Sequence, residues 1–434
     1  MSAAPVYLLE ENHDLPLCRL QVTVRVGAAE DPGGEGRDLA GLCNFATELM
    51  RRGAGGRTRT ELDAALDHLG ASLTVSAGRE SVTFDLLALR EKLEEASALL
   101  ADVILRPDFS AEEAGKLRRE LRAHLDDLRD DDSALCSRFF YRGIYGQHPL
   151  GRPIEGTAES LERLTVEDAR SWHRQNLHTG TVVFGAAGDL TERELLSLCE
   201  RHFRDLPTGP RPSPTLPEPT PLSGMHLHLV DKPERTQSQI LIGQLAPRWN
   251  EPHWLPLRVA ATAFGGTFTA RLMDEVRTRR GLSYGASART GAGRGRPLLV
   301  VHVFPSAEQT AETLELVLRL YREWAEGGLR PEEVEFAREY LARSFAFRIE
   351  TPEARLNLRT EVELAGLQAD YIARFPGWVR SITPAQVDEA LRAQLRPRDL
   401  LVTLVCTANA LREQLQTVQA LHGAVVETFS FDSF

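Results

Sequence analysis

Between Leu206 and Gly224 the chain carries seven prolines: Pro207, Pro210, Pro212, Pro214, Pro217, Pro219 and Pro221. Proline fixes φ and lacks an N–H, so such a stretch is neither a helix interior nor a central strand. It reads as a stiff, extended linker over 207–224. The linker falls near the midpoint of 434 residues, and single cores stop growing at roughly 250–300 residues. Two domains are therefore expected, 1–206 and 225–434. Self-similarity across the linker supports them. FSAEEAGKLRRELRAHLDD from Phe109 matches LRPEEVEFAREYLARSFAF from Leu329, an offset of 329 − 109 = 220. LTVEDARSWHRQNLHTGTVVFGAAG from Leu164 matches ITPAQVDEALRAQLRPRDLLVTLVCTA from Ile382, an offset of 382 − 164 = 218. Two matches at nearly one offset point to a tandem duplication.

Each half reads as strands, then helices, then a last strand. Cys18–Val26 alternates like a sheet edge, and Leu39–Met50 has helical spacing. Arg59–Leu69 is a second helix with Thr60 as its cap, and Ala71–Ala88 reads as two strands joined at Gly78. Long helices follow over Glu91–Leu105 and Ala111–Arg129, the latter opened by Ser110 with Glu113 three residues on. Thr165 and Thr383 cap later helices that lead into apolar strands, Val182–Ala186 and Leu400–Val405. Strands with helices segregated to one face give the fold class α+β, two homologous sandwich domains.

Composition narrows the class. Hydrophobic residues are 42% and charged residues 26%, the balance of a globular chain. The formal net charge of −11 argues against a general nucleic-acid binder. Only three lysines, Lys92, Lys116 and Lys232, occur among 51 basic residues, a bias of composition without a functional reading. Cys18, Cys43, Cys136, Cys199 and Cys406 are scattered and form no CxxC pair, which reads as reduced, buried thiols. Acidic residues interrupt the first twenty positions before an apolar run can reach signal-peptide length, and no stretch approaches the roughly 20 apolar residues of a membrane span. A cytoplasmic protein, with no membrane and no nucleic-acid partner, is the expectation.

Four segments in order carry a family resemblance: GLCNFATELMRRGAGGRTRTELDAALDHLGASL from Gly41, YGQHPLGRPIEGTAESLERLT from Tyr145, VDKPERTQSQILIG from Val230 and RLMDEVRTRRGLSYGASA from Arg271. Together they resemble the pitrilysin/insulinase family of zinc metallopeptidases, in the manner of the mitochondrial processing peptidase. The resemblance implies two homologous α+β halves of the processing-peptidase-like metallohydrolase fold.

In that family a His-x-x-Glu-His motif on the first helix and a glutamate from a later helix hold Zn²⁺, and the motif glutamate acts as base. Two imidazoles one helical turn apart plus a carboxylate leave a coordination position open for water. Here the window is Asn44-Phe45-Ala46-Thr47-Glu48, with both histidines and the base replaced. Glu120 and, seven residues on, Asp127 retain carboxylate character on the later helix. No metal is expected at these degenerate positions, Asn44, Thr47, Glu48, Glu120 and Asp127. Two alternatives stay open: the carboxylates Glu48, Glu120 and Asp127 hold a hard cation, or Asn44 and Thr47 join them in an ordinary hydrogen-bonded network. His226 and His228 share a strand face and read as exposed strand polar residues.

In the second half Arg277 precedes Tyr284 by seven residues, with Gly281 between them. The resemblance implies a catalytic pair acting on a partner's site, in which a guanidinium and a phenol donate hydrogen bonds to a peptide. The plainer reading is a helix-end cation, a C-cap glycine and a core tyrosine. The strands from Gly70 resemble those beside the family's catalytic helix, where substrate adds as an extra strand; Ser72, Leu73, Thr74 and Val75 are its substrate-binding residues by that likeness, or a plain hairpin. With the motif lost and the pair kept, the chain looks like the non-catalytic subunit of a two-subunit peptidase. The likeness implies a heterodimer with a homologue carrying the intact motif, zinc in that partner and none in this chain, and peptide substrates. The competing expectations are a structural scaffold with no role in proteolysis, and a peptidase with a divergent metal site.

Overall fold

A computed structural model describes residues 4–33, 38–211 and 216–433. Pro212 and Pro214 of the expected linker lie outside the described residues. The strands are β1 (Val6–Glu11), β2 (Leu17–Val24), β3 (Gly53–Ala54), β4 (Arg57–Thr58), β5 (Ser72–Ala77), β6 (Val82–Leu89), β7 (Val182–Gly188), β8 (His226–Asp231), β9 (Gln239–Leu245), β10 (Ser283–Thr290), β11 (Leu298–Pro305), β12 (Leu401–Cys406) and β13 (Val425–Ser430). The first five helices are α1 (Leu42–Met50), α2 (Arg59–His68), α3 (Leu93–Leu105), α4 (Ala111–Leu128) and α5 (Asp132–Tyr145).

Two compact units emerge. One comprises Met1–Asp126, Arg152–Leu216 and Phe347–Leu364; the other comprises Asp127–Gly151, Pro217–Ala346 and Ala365–Phe434. The chain passes from one to the other inside the proline-rich stretch, but each unit also takes one helix from the other half. Their sheets repeat one plan. The first runs β1-β7-β2-β6-β5, and the second runs β8-β12-β9-β11-β10 with β13 added outside β8. The outer pairs β1/β7 and β8/β12 are parallel, and the remaining shared pairs are antiparallel.

β2 is a central strand, not the expected edge. Cys18, Leu20, Val22 and Val24 are fully buried on one face. The alternating polar residues looked solvent-facing, yet Gln21 and Thr23 are buried too. Helix Pro352–Leu364 lies over them, and Gln21 hydrogen-bonds Asn357 and Thr360. Helices therefore lie on both faces of the sheet, which revises the expected one-sided arrangement. A Cβ at Gly185 would stand 2.9 Å from Leu356, so the glycine lets this helix settle on the strand. In the second unit α5 takes the matching place: a Cβ at Gly143 would meet Leu401 and His228 at 2.5 and 2.6 Å.

His228 departs from the exposed polar reading. It is 7% exposed under α5 and pairs with Glu427 of β13 at 2.9 Å. Burial lowers its pKa while Glu427 opposes that shift. His226 is only half-buried and bonds the Ser223 carbonyl. The cap of α2 is Thr58, two residues before the expected Thr60: its hydroxyl accepts from Glu61 N–H and the Glu61 carboxylate accepts from Thr58 N–H. Thr165 and Thr383 cap their helices as expected, and all five cysteines are free and buried. Among the described residues no helix is long and apolar enough to cross a membrane.

Candidate functional site

Two places carry the chemistry to be weighed, one in each unit. In the first, α1 begins at Gly41, whose φ of +88° suits glycine. The Asp31 carboxylate accepts from the N–H groups of Gly41 and Cys43 at 2.9 and 2.8 Å, anchoring the helix start. Asp31 is 2% exposed, and burial pushes its pKa up to about 7 against those two bonds.

Thr47 is fully buried and donates back to the Cys43 carbonyl at 2.8 Å, so its hydroxyl serves its own helix. Asn44 and Glu48 are half-buried. Burial raises the Glu48 pKa, with Arg52, Arg51 and Arg59 pulling it back. The decisive residue is Arg52, which follows α1 and is buried. Its guanidinium grips both oxygens of Glu120 and lies 3.7 Å from Glu113. Arg59 reaches the same two carboxylates at 3.7 and 3.9 Å. Arg52 is the main cause that draws the Glu120 pKa down. Asp127 does not join them: it is exposed in the last turn of α4.

These residues do not fit zinc. The first-helix ligands are absent, and guanidinium groups already neutralise the carboxylates that remain. A dication entering there would meet Arg52 and Arg59 at close range. Among the described residues no three His, Cys, Asp or Glu side chains converge as a metal would need.

Beside α1, β5 is the outer strand of its sheet. Gly78 N–H bonds the Ser81 carbonyl at 2.8 Å in the hairpin, and the register pairs Ser76 with Thr83, Thr74 with Asp85 and Ser72 with Leu87. Counting by twos, those residues exchange backbone bonds with β6, whereas Leu73 and Val75 direct theirs outward. Ser72 and Thr74 side chains are exposed, Leu73 is buried and Val75 half-buried. One outward group is engaged: Arg51 Nε donates to the Leu73 carbonyl at 3.3 Å while its other end pairs with Asp63 at 2.7 Å.

In the second unit, the helix Arg271–Met273 widens into a π-turn over Asp274–Arg279, a local form often found at functional sites. Gly281 ends it at φ +64°, and its N–H bonds the Arg277 carbonyl at 3.0 Å. Four neighbouring arginines are paired: Arg271 with Glu333, Arg279 with Asp274 and Glu275, Arg280 with Glu275, and Arg330 with Glu333. Arg277 has no carboxylate partner among the described residues. Its guanidinium carbon lies 4.7 Å from the Tyr284 ring centre and 4.9 Å from that of Phe268. Tyr284 is 77% exposed, which excludes the core-tyrosine reading. A register shift between Ser283 and Ala286 accounts for its outward position: Ser283 is buried, its hydroxyl donates to the Gly285 carbonyl and accepts from Phe304 N–H, and Tyr284 turns out of the bulge.

Two family models match consecutive stretches, insulinase (peptidase family M16) over residues 6–158 and the peptidase M16 inactive domain over residues 163–341. The chain belongs to the M16 peptidase family. An uncharacterized zinc protease of Mycobacterium leprae is 29% identical over 61% of this chain and 58% of its own length. One from Mycobacterium tuberculosis is 27% identical over 79% and 78%. A non-peptidase homologue of Helicobacter pylori is 21% identical over 92% and 91%. Among solved structures, the peptidase M16 inactive domain of Pseudomonas fluorescens aligns with a TM-score of 0.85 at 22% identity, over 93% of this chain and 97% of that one. A Helicobacter pylori protease gives 0.81 at 13%, over 94% and 99%. At these identities the likeness is one of fold, the two-domain α+β M16 architecture. Inactive-type members thus stand among the relatives of this M16 chain.

Arg52, Arg59, Glu113, Arg51 and Phe268 were missed in the sequence. RRG after the first helix was the one visible signal for Arg51 and Arg52, since adjacent arginines beside a degenerate carboxylate site need acceptors. Phe268 carried no signal of its own.

Proposed function

We propose that this chain is a non-catalytic M16 subunit that holds an extended peptide for a homologous partner carrying the intact zinc motif. The observation that supports it most is the half-buried Arg277, without a carboxylate partner among the described residues, beside the exposed Tyr284, placed where neither stabilises a core. A guanidinium free of carboxylates and a phenol at the surface offer hydrogen-bond donors to peptide carbonyls. The outward backbone of β5 at Val75, and at Leu73 where its carbonyl is released by Arg51, offers a second hold, by strand addition with little sequence selectivity. The partner would supply the metal chemistry, and this chain needs no cofactor of its own. Free, buried thiols fit a cytoplasmic setting. Co-expression with a motif-bearing homologue from the same genome, followed by size-exclusion chromatography and a peptide-cleavage assay, tests the proposal. Co-elution with cleavage that depends on Arg277 supports it. Failure to co-elute, or cleavage indifferent to Arg277→Ala, returns the chain to the scaffold reading.

A further inference from the structure

We propose that Phe268 is a positioning residue for Arg277, a third member of the site; the inference rests on the peptide-holding reading above. Phe268 and Tyr284 each lie against the guanidinium, at 4.9 and 4.7 Å, yet make no ring contact with one another among the described residues. Both rings are largely exposed, Phe268 at 63% and Tyr284 at 77%. Their shared contact is the cation between them. An arginine on a surface ordinarily samples many rotamers, and two aromatic neighbours remove that freedom before a ligand arrives. With rings against it, the planar group meets a ligand through its N–H edge, which suits oxygen acceptors lying in its plane such as the carbonyls of an extended peptide.

The loop that carries Phe268 is itself fixed in place. A Cβ at Gly265 would stand 2.6 Å from the Ala288 nitrogen, and one at Gly266 would stand 2.6 Å from the Thr262 Cα. Gly265 thus lets the end of the helix Trp254–Gly265 press against β10, and Gly266, closing the helix's last turn on Thr262, leads into the loop. Ala270 N–H then closes a turn on the Thr267 carbonyl at 3.2 Å. Phe268 is therefore held by its backbone while its ring stands in solvent. That arrangement buries little apolar surface, so core packing does not account for it.

Two measurements on the full chain test the idea. Arginine side-chain NMR, with the Arg277 signal assigned by its loss in Arg277→Lys, reads the mobility of its Nε–H without any ligand. An ordered Nε–H in the wild type that becomes mobile in Phe268→Leu and is restored in Phe268→Tyr is expected. Equal mobility in wild type and Phe268→Leu overturns the proposal. Fluorescence anisotropy with a fluorescein-labelled, unstructured 20-residue peptide of mixed sequence reads the consequence. Phe268→Leu should weaken binding about three- to tenfold, with Phe268→Tyr close to wild type and Arg277→Met weaker still. Binding lost in Arg277→Met but intact in Phe268→Leu overturns the role of Phe268 alone. Binding indifferent to Arg277→Met overturns the peptide-holding reading itself, while the NMR result still decides the positioning.

Discussion

The two units share one sheet plan and differ in what their arginines do. In the first, Arg52 and Arg59 are spent on Glu120 and Glu113, and the carboxylates beside α1 are closed off by internal ion pairs. In the second, Arg271, Arg279 and Arg280 are paired while Arg277 is left to two exposed rings. The same side chain is locked into ion pairs where carboxylates surround it and is left to aromatic neighbours where they do not.

Perturbing the closed site should cost stability, and perturbing the presented one should not. Arg52→Met removes the cation that grips both oxygens of Glu120 and lies 3.7 Å from Glu113, in a partly buried setting. Breaking a buried pair costs about 3–5 kcal/mol, and the half-exposed Glu120 moderates this to about 2–3 kcal/mol. Urea unfolding followed by circular dichroism reads it, and an unchanged midpoint would mean the ion pairs are incidental.

Next in size is a pH effect at the start of α1. Asp31 has its folded pKa raised to about 7 from 3.8. A raised value means the folded state binds the proton more tightly, so this group's contribution is fully present below about 4 and is lost as pH rises through 7. The stability of wild type relative to Asp31→Asn should be greater at pH 5 than at pH 8 by about 2 kcal/mol. A difference that stays flat between those pH values contradicts the buried, protonatable anchor.

In the second unit, Gly281→Ala forces an alanine into left-handed backbone with no atoms within 4 Å of the new Cβ. It should cost about 1 kcal/mol from the backbone alone. A loss of several kcal/mol in thermal unfolding would show that the turn carries packing beyond its backbone conformation. Smallest is Tyr284→Ala: with the ring 77% exposed, the change in stability should stay within about 0.5 kcal/mol. A marked drop in unfolding temperature would make Tyr284 structural and erase the contrast between the units.

Much of this was legible in the sequence for physical reasons. The proline run and the two matches at offsets of 220 and 218 gave the duplication, because repeated helix caps and apolar strands repeat their letters. The loss of His-x-x-Glu-His needed only the window from Asn44 to Glu48. What stayed hidden is long-range. Nothing local says that helix Pro352–Leu364 covers Gln21, 331 residues away from its first residue (352 − 21), so β2 read as an edge. The pairing of Arg52 with Glu120 spans 68 residues. His228 looked exposed because its partner Glu427 sits on a strand added outside the repeat. Phe268 was invisible because a largely exposed ring in a loop leaves no periodic mark.

On the proposed reading this chain contributes donors to a peptide site whose metal lies elsewhere. The most direct test of that reading is single-turnover peptide cleavage by the chain reconstituted with a motif-bearing homologue from the same genome, with zinc counted per chain by plasma mass spectrometry. No stoichiometric zinc and no cleavage are expected of this chain alone. In the reconstituted complex, Tyr284→Phe should lower the cleavage rate by about 10²–10³-fold if its hydroxyl meets the developing oxyanion, with assembly intact by chromatography. One zinc per isolated chain that is required for proteolysis, or wild-type rates from an assembled Tyr284→Phe complex, would contradict it.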